Sequence, residues 1–159
     1  MPETFEVVIT AIITKNKKYL ILRRSLNKKR FPGMWTVPGG HLESRDFTNT
    51  PKETKEYWYN VLEKTLRREV REEAGIEIKD IEYVTSLATV HADGAPSLVI
   101  SCLAHYASGR IKLQKEETDQ SAWVTLDEAK TYDLIDGIYD EIVMADEQLA
   151  GHKHEWVRN

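Results

Sequence analysis

Apolar positions along this chain fall in two periodicities. From Phe5 to Ile13 nearly every residue is β-branched or apolar, Asn16-Lys17 marks a turn, and Tyr19 to Leu22 resumes the apolar run. This pattern predicts a hairpin whose second strand ends in Arg23-Arg24. Ser25 to Met34 follows as a basic loop with Lys28, Lys29 and Arg30, and Trp35 to Val37 forms a short strand that Pro38-Gly39-Gly40 stops. Glu43 to about Lys55 is polar and reads as a loop. The spacing then becomes helical: Val61, Leu62, Thr65, Leu66 and Val70 predict a helix from about Glu56 to Ala74, with Gly75 just past its end. Strand patterns return at Ile76 to Ile78, Tyr83 to His91 and Ser97 to Tyr106, with turns at Asp93-Gly94-Ala95-Pro96 and Ser108-Gly109. A last short strand, Ala122 to Thr125, precedes helices over Leu126 to Tyr132 and Gly137 to Leu149. Strands, one long helix, more strands and then helices predict an α+β fold, a mixed sheet sandwiched by helices.

Composition narrows the options. The 159 residues suit one domain spanning 1–159, with no repeat and no linker. A net charge of -4 excludes a generally basic nucleic-acid binder, so duplex nucleic acid is not an expected partner. No apolar run approaches the length of a membrane span, and Met1 to Thr10 has no signal-peptide pattern, so a cytoplasmic location is expected. The lone cysteine, Cys102, excludes an internal disulfide framework and lies in the apolar run Leu98 to Leu103, where a buried inert thiol is expected.

The stretch Arg68-Glu69-Val70-Arg71-Glu72-Glu73-Ala74-Gly75-Ile76 carries the chemistry. On a helix, Glu69, Glu72 and Glu73 share one face. Like charges at that spacing repel, and the macrodipole disfavours them near a helix C-terminus. Carboxylates gathered on one face are what a hard divalent cation needs, Mg²⁺ first and Mn²⁺ as its substitute. For three glutamates alone, a solvated acidic face paired with Arg67, Arg68 and Arg71 explains as much.

Their surroundings favour the cation. The segment resembles the box of the Nudix hydrolases: Gly, five residues, Glu, seven residues, then Arg-Glu-aliphatic-any-Glu-Glu-any-Gly-aliphatic. Trp35 to Glu43 is similar to the family's strand and turn before the helix, and Trp123 to Ala129 to its last strand and helix start. The resemblance runs from about Phe5 to Leu149. One departure stands out. Between Gly40 and Arg68 the family has fewer residues, and an insertion of about 14 residues splits the box within about 44–59. Counting back from Arg68 puts Asn60 at the position of the first box Glu, with Glu56 as a substitute one turn earlier.

The resemblance implies a Nudix-type α/β/α sandwich and roles for individual residues. Glu69, Glu72 and Glu73 hold metal, joined by the carbonyl of Gly39, and Arg68 pins the carboxylates. Glu117, six residues before Trp123, supplies a further carboxylate for metal and for the attacking water, with Glu116 and Asp119 as competitors. Arg23 or Arg24 binds substrate phosphate. The implied reaction is metal-assisted hydrolysis of a diphosphate linkage in a nucleoside diphosphate derivative, first of all a nucleoside triphosphate giving monophosphate and pyrophosphate. A nucleotide sugar or ADP-ribose-type conjugate is the next substrate class. No NADH-cleaving Ser-Gln-Pro-Trp-Pro stretch is present. A silent ligand-sensing Nudix domain and an isomerase using Cys102 are the rival classes. A second copy of the chain is a candidate partner, and Tyr57-Trp58-Tyr59 a candidate packing or stacking surface.

Overall fold

The computed structural model describes residues 1–158. Its sheet is organised around β1 (Glu6–Lys15), which turns through Asn16 and Lys17, both at positive φ, into β2 (Lys18–Arg24). The two strands pair only near that turn, at Thr14–Tyr19 and Lys15–Lys18, and then diverge. The gap is filled by two short strands: β3 (Trp35–Thr36) pairs with β2, and β4 (Gly39–His41) pairs antiparallel with β1. On its other edge β1 runs parallel to β6 (Pro96–Gly109), which pairs with β5 (Ile76–Val90), while β7 (Thr118–Val124) pairs with β2. The result is one seven-stranded mixed sheet, split where β1 and β2 part.

Helices cover both faces. Alternation along β1 sends Ile9, Ala11 and Ile13 against Leu66, Val70 and Ala74 of α2 (Val61–Ala74), and sends Ile12 against Ile142 and Ala145 of α4 (Ile138–Leu149). Each large side chain removed from water this way contributes roughly 1.5–3 kcal/mol. Two short helices complete the set, α1 (Arg45–Thr48) and α3 (Leu126–Ala129), the latter closed by a reciprocal cap between Thr125 and Glu128. The α+β sandwich expected from the sequence is the one observed.

Several elements differ from the sequence reading: α1 forms inside the segment read as loop, β7 begins at Thr118 rather than Ala122, and α3 ends at Ala129 rather than Tyr132. The long helix starts at Val61 rather than Glu56, because Asn60 takes a left-handed conformation (φ 55°) that ends any helical run into it. Glu56 and Tyr57-Trp58-Tyr59 therefore lie in the inserted loop. The Ile76 and Tyr83 segments are one strand, kinked by register shifts and by Asp80 at φ 53°. Gly39-Gly40 does not stop a strand but forms one. A Cβ on Gly39 would lie 2.4 Å from the Ile9 carbonyl oxygen, so close pairing with β1 requires glycine here.

Candidate active site

The split in the sheet opens a cleft of about 490 Å³. Its floor is β1 (Val8, Thr10) and the β4 glycines, one wall is α2, and another is the 114–118 segment leading into β7. Val70 and Ala74 anchor α2 in the core, which turns the neighbouring Glu69, Glu72 and Glu73 toward the cleft. Gly75, at φ 72°, caps α2 and donates to the Arg71 carbonyl at 3.0 Å, so the helix ends at Ala74, one residue past Glu73.

Arg68 organises these carboxylates. Its guanidinium lies 3.0 Å from Glu69 Oε1, 3.0 Å from Glu72 Oε2 and 2.7 Å from Asp46 Oδ1. The Glu72 contact is an aligned hydrogen bond; the Asp46 and Glu69 contacts are ion pairs without aligned N–H groups. Asp46 belongs to α1, just ahead of the extra residues, and its side chain is only 1% exposed. It also accepts from the Glu43 N–H at 2.8 Å and the Thr65 hydroxyl at 3.2 Å. Burial alone would raise the Asp46 carboxyl; the Glu43 N–H, Arg68 and Thr65 outweigh it and hold the group below the usual aspartate range.

Asp46 is the residue that counting back from Arg68 misses. Counting forward finds it: after Gly40 come five residues, His41 to Arg45, and then Asp46, the box spacing for its first acid. The extra residues thus follow the acid and occupy 47–60. Asn60, at the left-handed entry to α2, makes no side-chain cap, and Glu56 does not line the cleft.

Charge decides whether this site suits a divalent cation. Burial pushes the Glu73 carboxyl up to about 8, and the negative charges of Glu69 and Glu117 add to the rise, against a hydrogen bond from the Gly39 N–H and the charge of Arg24. Burial likewise raises Glu69, opposed by Arg68 and reinforced by Glu72. Buried carboxylates that raise one another form an oxygen-rich set whose mutual repulsion a hard cation relieves. Gly40 makes the closeness possible, since a Cβ there would sit 2.2 Å from the Glu69 carboxyl carbon. Among the described residues, no three acidic, histidine or cysteine side chains already converge as a finished cage. The fit rests on donor chemistry, with Glu69, Glu72, Glu73, Glu117 and the Gly39 peptide spread around the cleft.

Cations line the same cleft. Lys28, from the basic loop, donates to Glu117 at 2.5 Å, and Arg45 pairs with Glu43 at the mouth. Arg24 lines the cleft and donates to the Arg30 carbonyl at 2.8 Å. Arg23 does not reach it: its guanidinium forks onto Asp119, with both contacts at 2.7 Å. That pair also takes Asp119 away from the role considered for it, leaving Glu117 as the acid from this segment that faces the cleft. Trp35 packs edge-on against Tyr132 at 4.8 Å, as core, while His41 lines the cleft beside Glu6. Burial pushes the Cys102 thiol up to about 11, in line with an inert packing role.

A split mixed sheet with a carboxylate-bearing helix beside a glycine strand defines the class. The NUDIX domain family matches residues 4–144, and the chain belongs to this family. The chain is 31% identical over 140 residues to the Nucleoside triphosphatase NudI of Enterobacter sp. (strain 638), covering 80% of this chain and 86% of that protein. It is 34% identical over 125 residues to the NAD-capped RNA hydrolase NUDT12 of Homo sapiens, covering 78% of this chain but only 23% of that protein. In fold it is similar to the crystal structure of MutT NUDIX hydrolase from Burkholderia pseudomallei, with a TM-score of 0.72 at 21% identity, over 89% of this chain and 98% of that one. Among the described residues no helix is long and apolar enough to cross a membrane.

Proposed function

We propose that this chain hydrolyses a phosphoric anhydride in a nucleoside diphosphate derivative, with Mg²⁺ as cofactor and Mn²⁺ as its substitute. The first substrate class is a nucleoside triphosphate, cleaved to nucleoside monophosphate and pyrophosphate. The observation that carries this reading is one cleft holding α2 carboxylates, Glu117 and the cations Arg24, Lys28 and Arg45. Glu69, Glu72, Glu73, Glu117 and the Gly39 carbonyl would hold the metal. When bound, the cation neutralises the diphosphate and lowers the pKa of water.

The chain's own groups do the rest. Arg24 and Lys28 face incoming phosphate oxygens, and Arg68 keeps the glutamates in register through charge-assisted contacts. Glu117 takes the proton from the attacking water, and Glu69 is the other candidate base. Water attacks one phosphorus and the second phosphate departs, so no covalent intermediate with the protein is needed.

The likeness to a nucleoside triphosphatase over most of both chains supports the triphosphate reading. The likeness to an NAD-capped RNA hydrolase favours a second reading, a dinucleotide or ADP-ribose-type substrate; the missing Ser-Gln-Pro-Trp-Pro stretch weighs against it. A panel of triphosphates, nucleotide sugars, ADP-ribose and dinucleotides, assayed with Mg²⁺ and product identification, separates them. Monophosphate plus pyrophosphate supports the first reading. Two monophosphate-type products from a conjugate move the substrate class. Ligand binding without any turnover would support the silent-sensor class instead.

A further inference from the structure

Arg30 has no part in the proposed hydrolysis and does not line the cleft, yet its guanidinium ties the basic loop to two other parts of the fold. Nη1 donates to Glu6 Oε2 at 2.9 Å and Nη2 to Glu6 Oε1 at 3.4 Å, at the start of β1. Nη2 also donates to Asp93 Oδ2 at 2.7 Å, in the turn between β5 and β6. Glu6 is braced in turn by the Ser97 hydroxyl, which donates to Oε2 at 2.9 Å, with His41 at 3.5 Å and His91 at 3.9 Å from the same oxygen. An isolated ion pair near the surface contributes little, but a guanidinium forked between two carboxylates fixes position. Arg30 holds both Glu6 and Asp93 below the usual carboxylate range, so the clamp stays ionised near neutral pH.

The clamp reaches the cleft through the main chain. The Arg30 carbonyl accepts from Arg24 Nε at 2.8 Å. Among the described residues, Lys29 and Arg30 make no hydrogen bond from main chain to main chain, so the side-chain clamp is what holds this carbonyl in place. The backbone of Arg24 is fixed by other means: its N–H donates to the Met34 carbonyl at 2.8 Å, and its carbonyl accepts from the Gly33 N–H at 3.0 Å. Arg30 therefore adds nothing to where Arg24 sits and sets where its side chain points. With Nε engaged, the terminal nitrogens of Arg24 make no hydrogen bond or ion pair with the described residues and are left for a ligand of the cleft, in the field of Glu73 and Glu117.

We propose that Arg30 is a positioning residue for Arg24: clamped between Glu6 and Asp93, it presents its carbonyl to Arg24 Nε and so aims the terminal nitrogens at a substrate phosphate. This rests on the hydrolysis proposed above, in which Arg24 meets phosphate. A planar guanidinium gains two aligned hydrogen bonds to a phosphate only when its direction is set beforehand. Removal of the Arg30 side chain takes away no group lining the cleft, so its effect on phosphate has to pass through Arg24.

The test is a double-mutant cycle on the full chain, with inorganic pyrophosphate and Mg²⁺, read by calorimetry. Arg30→Ala is expected to weaken pyrophosphate about tenfold and Arg24→Ala at least as much, while the double variant binds within about twofold of Arg24→Ala. In hydrolysis of the best substrate, Arg30→Ala should raise KM about tenfold and leave kcat within about threefold, because it disturbs a group that binds. Exchange of the Arg24 Nε–H with solvent, followed by NMR, should quicken in Arg30→Ala. Should that variant fail to fold, Asp93→Asn releases one arm of the clamp, and its smaller loss of affinity should likewise vanish in the Arg24→Ala background. Additive losses in the double variant, unchanged pyrophosphate affinity or Arg24 Nε–H exchange in Arg30→Ala, a loss confined to kcat, or no pyrophosphate binding by the wild type would each overturn the proposal. A chain that binds pyrophosphate and obeys the cycle but turns over no nucleotide would sink the hydrolysis reading and leave the positioning role standing.

Discussion

At the scale of single residues, Arg68 spans three acids, and Asp46 is the one that comes from outside its helix. With its side chain out of water, Asp46→Asn removes the charge facing Arg68 but leaves the shape. Loss of such a supporting contact typically costs 10–100-fold in metal affinity or activity, and about that loss in hydrolysis is expected here with the fold intact by circular dichroism. Unchanged turnover would show that Arg68 needs only Glu69 and Glu72. The two glycines of β4 separate in the same way. In Gly40→Ala the new Cβ meets the Glu69 carboxyl, so activity falls; in Gly39→Ala it meets the Ile9 carbonyl, so stability falls, by about 1–3 kcal/mol in denaturant titrations. Equal effects of the two changes on stability and activity would contradict this division.

Residue-scale chemistry was partly legible in the sequence. The face shared by Glu69, Glu72 and Glu73 follows from helical spacing alone, because α2 is anchored by Leu66 and Val70 as the periodicity requires. Asp46 was hidden because the spacing is intact only when read from Gly40, and fourteen added residues break it when read from Arg68. Nothing in Arg23-Arg24 says which guanidinium turns into the cleft; strand alternation sends them to opposite sides, and only the position of Asp119 on β7 shows that Arg23 is the one engaged elsewhere.

At the scale of elements, the insertion is a small structure of its own. The Phe47 and Trp58 rings pack at a 57° tilt with centroids 5.3 Å apart, the Trp58 indole donates to the Thr50 carbonyl at 2.7 Å, and Glu53 pairs with Lys64 of α2 at 2.6 Å. Deleting residues that include Asp46 would remove the Arg68 anchor. Trp58→Ala instead loosens the loop and spares the anchor, so proteolytic cutting within 48–58 should rise while hydrolysis persists. Collapse of activity in Trp58→Ala would make the loop part of the site. Boundaries here were the least readable feature, because Glu56 to Tyr59 can propagate a helix and only the left-handed Asn60 prevents it. β4 was unreadable for the opposite reason: glycines carry no strand signal, and they form a strand through the tight approach of β1.

At the scale of the whole molecule, two titrating regions lie on helices, α2 and α4, packed against opposite faces of one sheet. Glu141, remote from the cleft, bears on stability. Its carboxyl rises from an ordinary 4.5 to about 7 in the folded chain, so the unfolded chain ionises first as pH increases. The contribution is therefore fully present below about 4.5 and lost as pH climbs to about 7, amounting to about 3 kcal/mol. Urea titrations across that window should show stability declining in the wild type and a flatter profile in Glu141→Gln. Parallel profiles would mean that Glu141 is solvated rather than buried. The overall architecture, helices on both faces of a mixed sheet, was the most legible level, since burial on two faces of β1 demands it.

On the function proposed above, the α2 carboxylates bring metal-dependent hydrolysis to this cleft. The most direct measurement compares wild type and Glu72→Gln side by side on the best nucleotide substrate, with Mg²⁺ and again after chelation. Glu72 is half-exposed, so the variant should fold. Mg²⁺-dependent turnover by the wild type is expected, with none after chelation and a loss of at least about 100-fold in the folded variant. Turnover that survives chelation, or a folded Glu72→Gln chain as active as the wild type, would contradict it.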